Sequence, residues 1–162
     1  MSGRGRADVY RGTAQRAGPT CNVMNHVPAK SPLPDAAVRV GLVGAAGRGG
    51  NFRAAFEVCG ARITALCDLR REALDAWPDQ SAGRYTDLEA MLDQAKLDAV
   101  VIGTPQHLHA RQAIAALRRG LHVMSEVPAA VGHEEARDLV KAAGAAGGLY
   151  MLAENYCYWR DN

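Results

Sequence analysis

Along residues 38–153, short apolar runs alternate with longer segments whose apolar positions recur at helical spacing. The runs VRVGLV (38–43), RITALC (62–67), DAVVIG (98–103), LHVMS (121–125) and LYMLA (149–153) read as strands, and a short further strand is predicted near RYT (84–86). Most are apolar nearly throughout, the pattern of strands covered on both faces of a parallel sheet. Between them GNFRAAFEVC (50–59), RREALDAW (70–77), LEAMLDQA (88–95), HLHARQAIAALRR (107–119) and HEEARDLVKAAGAAG (133–147) read as helices. Gly60 and Gly120 follow two of these as C-terminal glycines, Pro78 stops a third, and Asp87 caps a fourth. Strand–helix–strand alternation predicts the α/β class: a doubly wound parallel sheet of about six strands with helices on both faces, the Rossmann arrangement. There is no internal repeat at a fixed period.

The first candidate site is the loop after the first strand. VRVGLVGAAGRGGNF (38–52) holds five glycines, and glycine costs conformational entropy in any regular element. The loop joins a strand to a helix, where free N–H groups and the positive end of the helix dipole favour a phosphate. Its spacing is Gly44-x-Ala46-x-x-Gly49, a dinucleotide fingerprint with alanine in place of the central glycine; Gly47 and Arg48 lie inside it. The second half of that fingerprint is an acid about twenty residues on. Asp68 stands there, closing ITALCD. It reads either as a ligand of the ribose hydroxyls or as a helix-capping Asp beside a glycine-rich turn. A carboxylate here favours NAD, because a 2′-phosphate would meet its charge. Arg70 and Arg71 follow closely and keep NADP as the alternative, since either is placed to grip that phosphate.

Composition narrows the function classes. The chain has 162 residues, is 48% hydrophobic and carries a net charge of +2. Residues 1–36 hold five Lys or Arg against two Asp or Glu, so the basic excess belongs to this Gly-, Pro- and Arg-rich segment. It reads as a disordered leader. It lacks the interleaved aromatics of a nucleic-acid arm, so no nucleic-acid partner is expected, and no apolar run suits a signal peptide or membrane span. Cys21, Cys59, Cys67 and Cys157 form no CxxC pair; buried thiols in a reducing, cytoplasmic compartment are expected. His107-x-His109 has no third ligand nearby, so no metal site is expected.

Two further stretches close predicted strands, where open α/β sheets bind ligands: GTPQHLHA (103–110) and GLHVMSEVPAA (120–130). With the glycine-rich turn and Asp68 they resemble the Gfo/Idh/MocA oxidoreductase family. Its pattern is TPxxxH after the fourth strand and GxHVxxEKP after the fifth. The resemblance implies that Gly44, Ala46, Gly49 and Asp68 line the adenosine and pyrophosphate of a nicotinamide dinucleotide. It places Thr104, Pro105 and His109 along the cofactor towards the nicotinamide ribose, and matches Glu126 and Pro128 to the family's Glu-Lys-Pro. His109 and Glu126 are the catalytic candidates, although His109 also reads as a partly buried helix residue. Where the family has its lysine, this chain has Val127, which can carry no proton. EVPAA followed by MLAENYCYWRD (151–161) is similar to a branch that includes NAD-dependent glycoside hydrolases. Those enzymes oxidise a sugar carbon transiently and so depart from the two-carboxylate rule for glycosidases.

The expected organisation is a leader over 1–36, a Rossmann domain over 37–155 and a stub of a missing C-terminal substrate domain over 156–162. The expected function is that of the NAD(P)-binding domain of an enzyme transferring hydride from a sugar, cyclitol or related polyol. The alternatives are a glycoside hydrolase and a non-catalytic nucleotide-binding module. The chain alone is expected to be inactive. Tyr156, Tyr158 and Trp159, if uncovered, are expected to favour association into homo-oligomers.

Overall fold

The computed structural model describes residues 37–155. Six strands form a single sheet: β1 (Arg39–Val43), β2 (Arg62–Cys67), β3 (Gly83–Tyr85), β4 (Ala99–Ile102), β5 (His122–Ser125) and β6 (Tyr150–Leu152). Their order is β3-β2-β1-β4-β5-β6, and every pairing is parallel. This is the doubly wound order, in which the order of strand addition reverses between β1 and β4 and opens a crevice at their C-terminal ends.

Alternate residues along the strands feed two separate cores. Val40, Leu42, Leu66 and Val101 pack with Leu74 and Trp77 on one face. Val43, Ala65, Cys67, Val100 and Ile102 pack with Met91, Ala113, Leu117 and Leu139 on the other. Burial on both sides is why these strands read as unbroken apolar runs. The covering helices are α1 (Arg53–Val58), α2 (Arg71–Asp75), α3 (Leu88–Gln94), α4 (His109–Arg118) and α5 (His133–Ala145). Among the described residues, none is long and apolar enough to cross a membrane.

Several boundaries differ from the sequence expectation. The first helix begins late, because residues Arg48–Phe52 form a 3-10 turn before α1. Gly49 and Gly50 weaken helix initiation there. A 3-10 turn at Gln106–Leu108 likewise precedes α4. Asp87 caps α3 as expected, its side chain accepting from the Ala90 N–H at 2.8 Å. Cys67 is buried, but Cys59 is exposed, contrary to the expectation of a buried thiol. Tyr156, Tyr158, Trp159, Cys21 and Cys157 lie outside the described residues. A different apolar patch stands within them: on the outermost strand Met151 is 56% and Leu152 40% exposed.

The start of the central strand pair is locked by an ion pair. Asp98 Oδ2 accepts from the Arg39 backbone N–H at 2.8 Å and from Nε at 3.0 Å, while Oδ1 accepts from Nη2 at 2.8 Å. Those hydrogen bonds hold the Asp98 carboxyl below its ordinary range. A lowered carboxylate stabilises the fold above the unfolded-state value of about 3.9 and loses that contribution as pH falls through the folded value. Asp98→Asn should therefore lower the melting temperature by a few degrees at pH 7. The gap from the parent should close below about pH 4. Thermal melts across pH 2.5–7 by circular dichroism read this; a gap of constant size would exclude the ion pair as its source.

Candidate functional site

Three glycines meet where the turns after β1 and β4 pack together. Gly44 follows β1 with φ +87°, a region open to glycine but costly for other residues. A Cβ on Gly44 would lie 2.6 Å from the Gly103 carbonyl oxygen, and one on Gly49 would lie 2.7 Å from the Gly44 oxygen. Gly103 donates its N–H to Val43 O at 2.8 Å, and Gly44 donates to Cys67 O at 2.8 Å. These glycines let the turns after β1 and β4 pack backbone against backbone. Gly47 differs: a Cβ there would meet nothing nearer than Gly103 O at 3.5 Å. Like Gly44 and Gly103, Gly47 lines the crevice, next to the 3-10 turn whose leading N–H groups lack intrahelical acceptors.

Asp68 sits at the end of β2 and accepts two backbone N–H groups at 2.9 Å each, Oδ2 from Ala46 and Oδ1 from Arg70. A carboxylate offers about four lone-pair sites, so two remain for hydroxyls. The Ala46 methyl is exposed, and its N–H is turned onto Asp68. Arg70 Nε lies 3.7 Å from Asp68, whereas Arg71 is turned away to Asp75 at 3.6 Å. Of the two arginines placed near the 2′-phosphate position, only Arg70 borders the crevice.

The crevice encloses about 870 Å3, within the range of small-molecule sites. Its walls include Gly44, Gly47, Asp68, Arg70, Thr104 and Pro105, six of the sequence candidates. Leu69, Leu88, Leu108 and Ala115 add an apolar surface that the sequence reading missed. The Thr104 hydroxyl is tied to Gln112 on α4 at 2.6 Å. Cys67 also lines it, but burial first, then the charges of Asp87 and Asp68, push its thiol up to about 11. It stays protonated at neutral pH and is no nucleophile. Open glycine backbone beside an acceptor with spare lone pairs fits the adenosine and pyrophosphate part of a dinucleotide.

Ala46, Arg48, Gly49, His109, Glu126 and Pro128 are not among the residues lining the crevice. Arg48 reaches from the glycine loop to Glu126, just past β5, with Nε 3.2 Å from Oε1. Glu126 is only 7% exposed, so this guanidinium neutralises a nearly buried charge. Val127 follows, an apolar side chain with no proton to give. His109 is 1% exposed. Its Nδ1 lies 2.9 Å from the Pro128 carbonyl oxygen and its Nε2 lies 2.7 Å from the Thr104 carbonyl oxygen. This geometry matches the reading of His109 as a buried helix residue. Both ring nitrogens are engaged by backbone, and the ring lies under the loops. One signal in the sequence pointed this way: His109 shares helical spacing with buried Ala113, Ala116 and Leu117 on α4.

Residues 38–154 match the Gfo/Idh/MocA family, an oxidoreductase family with an NAD-binding Rossmann fold. The chain belongs to that family. Among curated relatives of this Gfo/Idh/MocA domain, a glycosyl hydrolase family 109 protein of Solibacter usitatus is 36% identical over 77% of this chain and 32% of its own length. An alpha-N-acetylgalactosaminidase of Tannerella forsythia is 31% identical, over 78% of this chain and 30% of its own. The chain thus spans about a third of the curated relatives it matches. Among solved structures, the WlbA dehydrogenase of Bordetella pertussis in complex with NADH and UDP-GlcNAcA superposes with a TM-score of 0.66 at 36% identity, covering 72% of this chain and 37% of that one. The scyllo-inositol dehydrogenase of Lactobacillus casei with bound NAD(H) and scyllo-inositol gives 0.65 at 27% identity, covering 72% and 36%.

Proposed function

We propose that this chain is the cofactor-holding domain of a sugar-active NAD enzyme. The observation that carries this reading is the crevice at the β1/β4 switch point, where Gly44 and Gly47 stand beside Asp68, which keeps two unused acceptor sites. In this reading the glycine loop holds the pyrophosphate, Asp68 and Arg70 the adenosine ribose, and Thr104 and Pro105 the approach to the nicotinamide. When bound, the nicotinamide supplies hydride-acceptor chemistry. The sugar class rests on neighbours whose structures hold UDP-GlcNAcA or scyllo-inositol with the same cofactor. The free thiols of Cys59 and Cys67 support a cytoplasmic location.

A second reading, a glycoside hydrolase that retains its NAD, is favoured by two observations. Val127 occupies the place of the family lysine, and the curated relatives include glycosyl hydrolase family 109 proteins. Of the two catalytic candidates, Glu126 is paired with Arg48, and the His109 ring nitrogens face the backbone carbonyls of Thr104 and Pro128. We therefore expect the 162-residue chain alone to bind NADH saturably, by fluorescence titration, and to turn over no sugar. The same assay, run on this chain joined to any sequence that follows it in its gene, separates the two readings. Free sugars, cyclitols and nitrophenyl glycosides are offered with NAD. Net reduced cofactor marks a dehydrogenase; aglycone release without it marks the hydrolase. Absence of saturable NADH binding would refute both.

A further inference from the structure

We propose that His109 is a positioning residue that fastens together the two loops flanking the nicotinamide end of the crevice. This deepens the reading above and rests on it for where that end lies. The loops leave adjacent parallel strands, β4 and β5, whose ladder runs to the Ile102–Ser125 pair. One further backbone bond joins them, from Glu126 N–H to Ile102 O at 2.9 Å. Beyond it the ladder cannot continue through Pro105 or Pro128, because neither has an N–H to donate. The carbonyls of Thr104 and Pro128 are then left near each other without a backbone donor from the facing loop. The His109 ring stands between them, 2.7 Å from the first and 2.9 Å from the second.

Three features make this a clamp rather than a passing contact. The ring is 1% exposed, so water does not compete for either carbonyl. His109 is the first residue of α4, so the clamp ties both loops to a helix packed in the core. Gln112, one turn on, takes the Thr104 hydroxyl at 2.6 Å, so backbone and side chain of Thr104 are both held from α4. The Thr104 turn thus has two anchors on α4, and the Pro128 turn has His109. A neutral imidazole carries one N–H and serves one carbonyl at a time, while the doubly protonated ring serves both. Phenylalanine keeps the ring's volume and removes both donors; glutamine keeps an amide with two N–H groups.

The test separates fastening from packing by using two probes on the full 162-residue chain. NADH spans the crevice, whereas ADP reaches only the Asp68 and glycine-loop end. His109→Phe should weaken NADH by about tenfold, or 1.4 kcal/mol, and leave ADP within about twofold. His109→Gln should recover part of the NADH loss. Equal losses for NADH and ADP would reduce His109 to a packing residue and overturn the proposal, as would no loss for either. If the phenylalanine variant fails to fold, the parent protein still decides. Its His109 ring N–H should be seen by NMR as a slowly exchanging, hydrogen-bonded proton that shifts with NADH and not with ADP. A ring N–H in rapid exchange, or one that responds equally to both, refutes the clamp. Failure of the parent to bind either nucleotide would instead sink the cofactor reading itself.

Discussion

Gly103→Ala will destabilise the domain and close the cofactor loop's seat. The added Cβ would fall against Gly49 N and lie 2.7 Å from Gly49 Cα. Both are backbone atoms, so no side-chain rotation relieves the contact. Overpacking a tight interior costs about 1–3 kcal/mol, occasionally more, and backbone-on-backbone crowding belongs at the upper end. Against a total stability of roughly 5–15 kcal/mol that is a large fraction. The melting temperature should fall by about 10 °C. NADH affinity measured at low temperature should fall too, because the glycine loop must shift to admit the methyl. Gly47→Ala is the control: its Cβ would meet Gly103 O at 3.5 Å and Gly44 O at 4.0 Å. That is ordinary contact, and its melting temperature should stay within about 2 °C of the parent. Equal melting temperatures for the two variants would mean that the turns after β1 and β4 do not touch.

The same contrast explains what the sequence could and could not reveal. Glycine-rich spacing marked the loop but gave no means of telling Gly44, Gly49 and Gly103, where a Cβ would strike backbone, from Gly47, where it would meet nothing nearer than 3.5 Å. That division depends on how β1 and β4 are juxtaposed, a contact across some sixty residues of chain. The strands were legible because each is buried on both faces and so carries an unbroken local pattern. The start of α1 was less so, because the 3-10 turn over Arg48–Phe52 is set by the loop's packing and not by periodicity. Asp68 was legible as an acid at a strand end. Its two backbone partners were not, since Ala46 lies in a different loop. For His109 the sequence left two readings open, a place along the cofactor and a partly buried helix position. On α4 its spacing with Ala113, Ala116 and Leu117 already put it on the buried stripe. A buried imidazole needs partners, and here only the fold brings the carbonyls of Thr104 and Pro128 to it.

Removing the Asp68 carboxylate should have the largest effect on cofactor binding. Its two oxygens hold the glycine loop through Ala46 and the start of the next segment through Arg70. In the proposed reading the ribose hydroxyls use its remaining lone pairs. Asp68→Ala therefore leaves two backbone donors unsatisfied and takes away the ribose acceptor. Hydrogen bonds to a charged group are worth roughly 1.5–3 kcal/mol each. A hundredfold loss of NADH affinity, about 2.8 kcal/mol, is the expected scale. Asp68→Asn retains one oxygen acceptor but sets its NH2 against a backbone N–H, so it should lose less than alanine and still fall below the parent. The asparagine variant also lacks the charge that repels a 2′-phosphate. Arg70, whose side chain is 68% exposed and 3.7 Å from Asp68, is then released to meet that phosphate. The ratio of NADH to NADPH affinity should shrink in Asp68→Asn and recover when Arg70→Ala is added. Calorimetric titration of the parent, both single variants and the double variant with each nucleotide measures this. NADH affinity unchanged in Asp68→Ala would remove Asp68 from the site, and a parent that prefers NADPH would reverse the cofactor assignment at this end of the crevice.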